Sequence, residues 1–200
     1  LSHVLKTAGF TTVLAGNIGV PLFDIIDCVT GDSAIVAELS CHQLENISVG
    51  PEYGAVLNLY PEHLDHYHDY DSYKMAKMQI ALKQMQGQHF YYCSDNDDLV
   101  SMTDVLMPQI KSNVVSYSLK EALGEDFICS AKTELKGEHN LSNIYLVWLM
   151  AKNFGVNKDV FLKALESFRP LEHRLEKVAT VDGVTFYNDS ISTIPQTTIA

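Results

Sequence analysis

Two hundred residues give room for one domain, or for one domain and part of a second. An apolar content of 46% against 20% charged residues fits a globular chain with a sizeable core. A formal net charge of -11 argues against nucleic acid and anionic lipid as partners, since both need a basic footprint. It does not argue against a nucleotide, whose phosphates can be held locally by backbone N–H groups and a few cations. The longest apolar run, Ile144 to Ala151, is too short to span a bilayer, and Leu1 opens no secretory signal. Cys28, Cys41, Cys93 and Cys129 are scattered without a CxxC spacing. They read as reduced, buried thiols of a cytoplasmic protein.

Leu1 to Gly9 reads as the tail of an amphipathic helix that Gly9 stops. Both ends of the chain read as cut, so a fragment of a longer chain is expected. Thr11 to Ala15 is a β-branched strand running into Gly16-Asn17-Ile18-Gly19. That turn either brings backbone close to a ligand or simply joins a strand to a helix. Ala34 to Leu39 is a second buried strand, ending at Glu38. Ser40 and Gln43 have capping-box spacing, which accounts for both but leaves Glu38 unexplained. A carboxylate at the end of an apolar strand needs a partner, such as a metal or a phosphate site.

Ala55 to Leu59 is the third strand, and the chain is organised around the loop at its end. The loop holds Glu62, His63, Asp65, His66 and His68. Strand ends of a parallel sheet are where ligands gather. A helix from Ser72 carries Met75, Met78, Leu82 and Met85 at core-facing spacing. Tyr73, Ala76, Lys77 and Ile80 share a different face. By periodicity alone Lys77 is a surface lysine lying along apolar neighbours.

His89 to Cys93 is a fourth strand, before a helix reaching Leu106. Val114 to Ser118 and Asp126 to Ser130 are read as further strands. Helices are expected over Ser142 to Phe154 and Asp159 to Phe168. Val178 to Thr180 and Val184 to Tyr187 flank an Asp-Gly hairpin signal. The alternation predicts an α/β fold, a mostly parallel sheet flanked by helices. A domain boundary is expected near Pro170, dividing residues 1–170 from residues 171–200.

Seven ordered pieces carry a resemblance to a known family. They are Gly16-Asn17-Ile18-Gly19, Glu38 through Glu45, Asn58 through Asp65, Tyr73 through Lys77, His139-Asn140 with Asn143, His173-Arg174, and Asn188-Asp189-Ser190. In that order they resemble the Mur ligases, and the run Ser40 to Glu45 resembles the glutamate-adding branch. The resemblance covers essentially the whole chain. It implies a central ATPase-like domain over residues 1–170, then a linker and the start of a Rossmann-like C-terminal domain over residues 171–200. It implies an ATP-dependent amide ligase of peptidoglycan precursor synthesis, adding glutamate to UDP-N-acetylmuramoyl-L-alanine through an acyl phosphate.

The resemblance also implies roles. Glu38 and His63 are expected at magnesium, and Lys77 as a carbamylated lysine holding a second Mg2+. Asn17, Ser40, Gln43 and Thr193 are expected at the substrate. His139, Asn140, Asn143, Arg174 and Asp189 are expected at ATP. The expected partners are the UDP-sugar and glutamate, bound by a monomer, with no nucleic acid and no membrane.

Three departures accompany it. The family's GxxGK[ST] phosphate loop is absent, so the 200-residue chain alone is expected to be inactive. Ile191-Ser192-Thr193 stands where the family carries lysine, alanine and threonine, which puts the glutamate stereochemistry in question. Glu62 stands where an aspartate is usual. The alternatives are another Mur ligase, a folylpolyglutamate-synthase-like ligase, a non-catalytic module, or a metallohydrolase using the run His63 to His68.

Overall fold

The computed structural model describes residues 1–17, 19–173 and 176–190. The body is built from parallel strands. Strand β1 (Thr12–Gly16) pairs with β2 (Ala34–Glu38), Gly16 lying opposite Glu38. Strands β3 (Tyr53–Val56), β4 (His89–Cys93) and β5 (Asn113–Tyr117) form a second parallel sheet with β4 in the middle. Strands β6 (Glu176–Val181) and β7 (Val184–Asn188) form an antiparallel hairpin. Its turn residues, Asp182 and Gly183, both have positive φ, 50° and 81°, as a type I′ turn requires.

The helices are α1 (Ser2–Thr7), α2 (Cys41–Leu44), α3 (Tyr70–Leu82), α4 (Asp97–Leu106), α5 (Leu119–Leu123), α6 (Asp126–Cys129), α7 (Glu138–Asn153) and α8 (Lys158–Ser167). Five of them start on a side-chain cap. Ser40, Asp69, Asn96, Ser118 and Asn157 each accept the N–H three residues on.

Alternation along β4 divides the core. Phe90 packs with Met78 and Ala81 of α3 and Leu99 and Leu106 of α4. Its neighbour Tyr91 packs with Leu146 and Met150 of α7. Successive side chains of a strand point to opposite faces, so helices cover both sides of the sheet. A third cluster joins α1, α7 and α8 around Val4, Leu5, Trp148 and Phe161. No helix among the described residues is long and apolar enough to cross a membrane.

Four expectations are corrected. Asp126 to Ser130 is not a strand but helix α6 with its cap residue, because Ile128 and Cys129 close helical hydrogen bonds onto the Glu125 carbonyl. The third strand lies earlier than Ala55 to Leu59, since its ladder partners on β4 run only from His89 to Tyr92. On α3 the core face is Tyr73, Ala76, Ile80 and Ala81 with Met78, while Met75 is exposed. Met75 thus follows the helical period without reaching the core, and Met85, also exposed, lies beyond the end of the helix at Leu82. Of the four cysteines, all free, Cys41 is buried but Cys28 and Cys129 are exposed.

Candidate functional site at the strand ends

The first sheet ends in a close approach that one residue type allows. Gly16 has φ +121°, and a Cβ there would lie 2.1 Å from the Glu38 carbonyl oxygen. No side chain fits at that distance. The Asn17 N–H donates to the same carbonyl at 2.7 Å. Glu38 and Asn17 are thereby set side by side, both exposed. Immediately beyond, Ser40 caps α2. Its N–H donates to Gln43 Oε1 at 2.8 Å, and its Oγ accepts the Gln43 N–H at 3.3 Å. Both side chains are therefore engaged locally.

The loop after β3 is held differently. Leu59 is fully buried, and its carbonyl accepts from Asn96 Nδ2 at 3.1 Å. His63 has φ 55°, a left-handed conformation that is uncommon without glycine. Its carbonyl accepts the N–H groups of His66 and Tyr67, both at 3.0 Å. Tyr67 is then buried. Asp69 ends the loop by capping α3, its carboxylate taking the Ser72 N–H at 2.8 Å.

His63 and Lys77 meet around one ring. The His63 ring is 6.2 Å from that of Tyr73, and Lys77 Nζ lies 5.6 Å from the Tyr73 ring centre. Tyr73 is buried, and its hydroxyl pKa is raised by that burial and then by the Glu62 carboxylate. Glu62 therefore belongs to the same group. Lys77 is half-buried, one turn from Tyr73 and one turn from Ala81 on the covered face. The neighbouring Lys74 pairs with Asp71 at 2.7 Å. Among the described residues Lys77 makes no ion pair, and none joins Glu38 to His63 or Lys77.

His139 and Asn140 form a second polar group in the first turn of α7. Asn140 Nδ2 donates to the Lys136 carbonyl at 2.6 Å and lies 3.0 Å from His139 Nε2. The other ring nitrogen, Nδ1, is buried without a hydrogen-bond partner. Such an atom is costly unless a ligand or water meets it. Asn143 lines a cavity of about 110 Å3 with Leu1, Val4, Leu135 and Phe168. Asp189 follows β7 and is half-buried. Arg174 and Thr193 lie outside the described residues, as does Ile191.

The run His63 to His68 does not gather into one donor cluster. His68 is turned to solvent, its side chain 94% exposed, and is 3.2 Å from Asp69. Among the described residues, the His, Cys, Asp and Glu side chains that converge as a possible metal group are His42, Glu45 and His66. Sequence reasoning missed His42 and Glu45. Their spacing of three on a helix was the available signal.

The Mur ligase middle-domain family model matches residues 1–151. The chain belongs to the Mur ligase family. It is 32% identical to the UDP-N-acetylmuramoylalanine--D-glutamate ligase of Clostridium kluyveri over 99% of its own length and 45% of that protein's. The corresponding Clostridium botulinum ligase is 33% identical with the same coverage. The chain thus spans about half the length of the curated relatives it matches. Among solved structures, MurF of Acinetobacter baumannii superposes with a TM-score of 0.75 at 16% identity, covering all of this chain and 49% of that one. MurF of Thermotoga maritima, solved in complex with ADP, has a TM-score of 0.68 at 15% identity, over 98% of this chain and 50% of that one. At those identities the likeness is one of fold: the parallel α/β body of a Mur ligase.

Proposed function

We propose that this chain is the metal- and nucleotide-handling part of an ATP-dependent ligase adding glutamate to UDP-N-acetylmuramoyl-L-alanine in peptidoglycan precursor synthesis. The observation that carries the reading is the match, along 99% of this chain, to part of ligases named for D-glutamate addition to UDP-N-acetylmuramoylalanine. In this reading residues 1–170 form the central domain, and residues 171–200 are the linker and the start of the C-terminal domain. The protein works as a cytoplasmic monomer.

The Glu38 carboxylate and a carbamate on Lys77 are the oxygen donors that Mg2+, a hard cation that keeps waters, prefers, with the His63 imidazole as an added nitrogen donor. Glu38 offers an exposed carboxylate at the end of β2, and His63 lies in the loop after β3. These two would hold one Mg2+. Lys77 would serve a second after carbamylation, which replaces its positive charge with an anionic oxygen donor. A half-buried lysine on the covered face of α3, free of an ion pair among the described residues, supports that assignment over a surface role. Bound Mg2+ would neutralise the negative charge that crowds between ATP and a carboxylate.

The rest falls to the chain's own groups. Asn17, Ser40 and Gln43 face the muramoyl substrate, with Thr193 nearer the incoming glutamate. For Ser40 and Gln43 this means that the substrate shares a side chain with the α2 cap. His139, Asn140 and Asn143 form the adenine side of the ATP site. The unpartnered His139 Nδ1 is the atom there with a hydrogen bond still to make. Arg174 reaches phosphate and Asp189 the ribose. The substrate carboxylate takes the γ-phosphate, the glutamate amine attacks the acyl phosphate, and inorganic phosphate leaves.

The test is phosphate release by the full-length protein with ATP, Mg2+ and UDP-N-acetylmuramoyl-L-alanine, comparing D- with L-glutamate. The relatives are named for D-glutamate, whereas Ile191 cannot pair with a carboxylate as the family's lysine can. Release with one enantiomer is expected. No release with either overturns the reading.

A further inference from the structure

The loop after β3 brings a second, chemically different set of donors to the surface. His42 and Glu45 lie three residues apart in the α2 segment, on one side of it. His66 reaches them from the loop. Its Nε2 is 3.7 Å from Glu45 Oε1, and its ring centre is 4.4 Å from that of His42. One ligand atom from each of the three lies within 4.8 Å of the others. We propose that His42, Glu45 and His66 form a binding site for a first-row transition-metal dication of the Zn2+ class, beside the magnesium donor His63, whose ring centre is 5.3 Å from that of His42, but using none of the magnesium donors.

The donor chemistry selects the metal. Two imidazoles and one carboxylate suit zinc, with a fourth position left to water. The same set is poor for Mg2+, which wants near-octahedral oxygen. Metal–ligand bonds of about 2.0–2.1 Å in tetrahedral geometry put donors about 3.4 Å apart. The site therefore closes by small side-chain rotations. All three side chains are exposed.

A second observation points the same way. Tyr67 is 7% exposed, and its hydroxyl has no hydrogen-bond partner. The ring lies parallel to that of His42, 5.7 Å between centres, and edge-on to His66 at 4.9 Å. The hydroxyl faces Glu45 and Cys41. A buried phenol beside a ligand carboxylate is the kind of outer partner that orients metal ligands. Once a metal draws Glu45 inward, the Tyr67 hydroxyl can donate to the carboxylate oxygen left free. Glu45 and Tyr67 also line a cleft of about 450 Å3 along α3, with Asp71, Ser72 and Met75. That cleft gives water a route to the open position.

The site stands independently of the ligase reading. The test uses the full-length protein, stripped with a chelator and titrated with Co2+ and then Zn2+ in excess Mg2+. One equivalent of Co2+ is expected, with the intense visible bands of tetrahedral coordination, displaced by Zn2+. His42→Ala and His66→Ala should each weaken binding at least about tenfold. Tyr67→Phe should weaken it less. His68→Ala, which removes another exposed imidazole two residues away, should leave it unchanged, and so should Glu38→Gln. Circular dichroism of each variant separates lost metal from lost fold. Binding weaker than about 100 μM overturns the proposal. So does an octahedral Co2+ spectrum, or affinity that survives both histidine variants or falls with Glu38→Gln.

Discussion

The loops after β2 and β3 each end a parallel strand, but they are held by different forces. After β2, the Ser40–Gln43 box and the Gly16 approach lie within a few residues or one strand of Glu38. After β3, the loop is held by its own buried side chains, Leu59 and Tyr67, by the buried Tyr73 ring, and by the distant Asn96 amide on the Leu59 carbonyl. The first loop is set by local hydrogen bonds, the second by packing. The left-handed His63 belongs to the second, where the surroundings must override the backbone's own preference.

Lys77 offers the sharpest test of what the packed loop is for. Lys77→Ala in the full-length protein should lower ATP-dependent ligation by at least about 100-fold. Short carboxylates such as formate or propionate should restore part of it, by supplying the lost anionic oxygen. Lys74→Ala, which removes the lysine already paired with Asp71 and packed on the Tyr70 ring, should leave the rate close to normal. Unchanged ligation by Lys77→Ala would remove the carbamate from the assignment.

Stability separates the two loops directly. Leu59→Ala empties a fully buried site and should cost about 2–5 kcal/mol in urea unfolding. Ser40→Ala removes only a cap and should cost about 1 kcal/mol. Equal costs would mean that both loops rest on packing.

The smallest effect is in acid. The Ser72 N–H, with smaller help from His68, holds the Asp69 pKa down to about 2. The ionised carboxylate is the better cap, so its contribution is complete above about pH 4, the unfolded value, and fades as pH falls toward 2. Asp69→Asn should flatten that part of the stability profile and leave neutral pH little changed. A full acid slope retained in Asp69→Asn would assign it to other carboxylates.

Local patterns predicted much of this molecule. Strand and helix alternation announced the parallel α/β body, Asp182-Gly183 the hairpin, and Ser40 with Gln43 the cap. The ordered motifs announced the family. These features depend on neighbours in sequence, where propensity and hydrogen bonding act directly. The misread helix α6 shows the limit, since four residues, Asp126–Cys129, make too few turns to reveal a period.

Tertiary structure decided what the local pattern left open. The methionine spacing of α3 suggested one core face, yet Tyr73, Ala76 and Ile80 pack inward and Met75 and Met85 do not. That rotation turns Lys77 from a surface lysine into a half-buried one beside Tyr73 and His63. The histidine-rich run was visible in sequence, but its convergence was not. His66 joins His42 and Glu45, while His68 turns to solvent. Which face is covered, and which donors meet, depends on burial against distant elements, and one chain's periodicity carries no record of those partners.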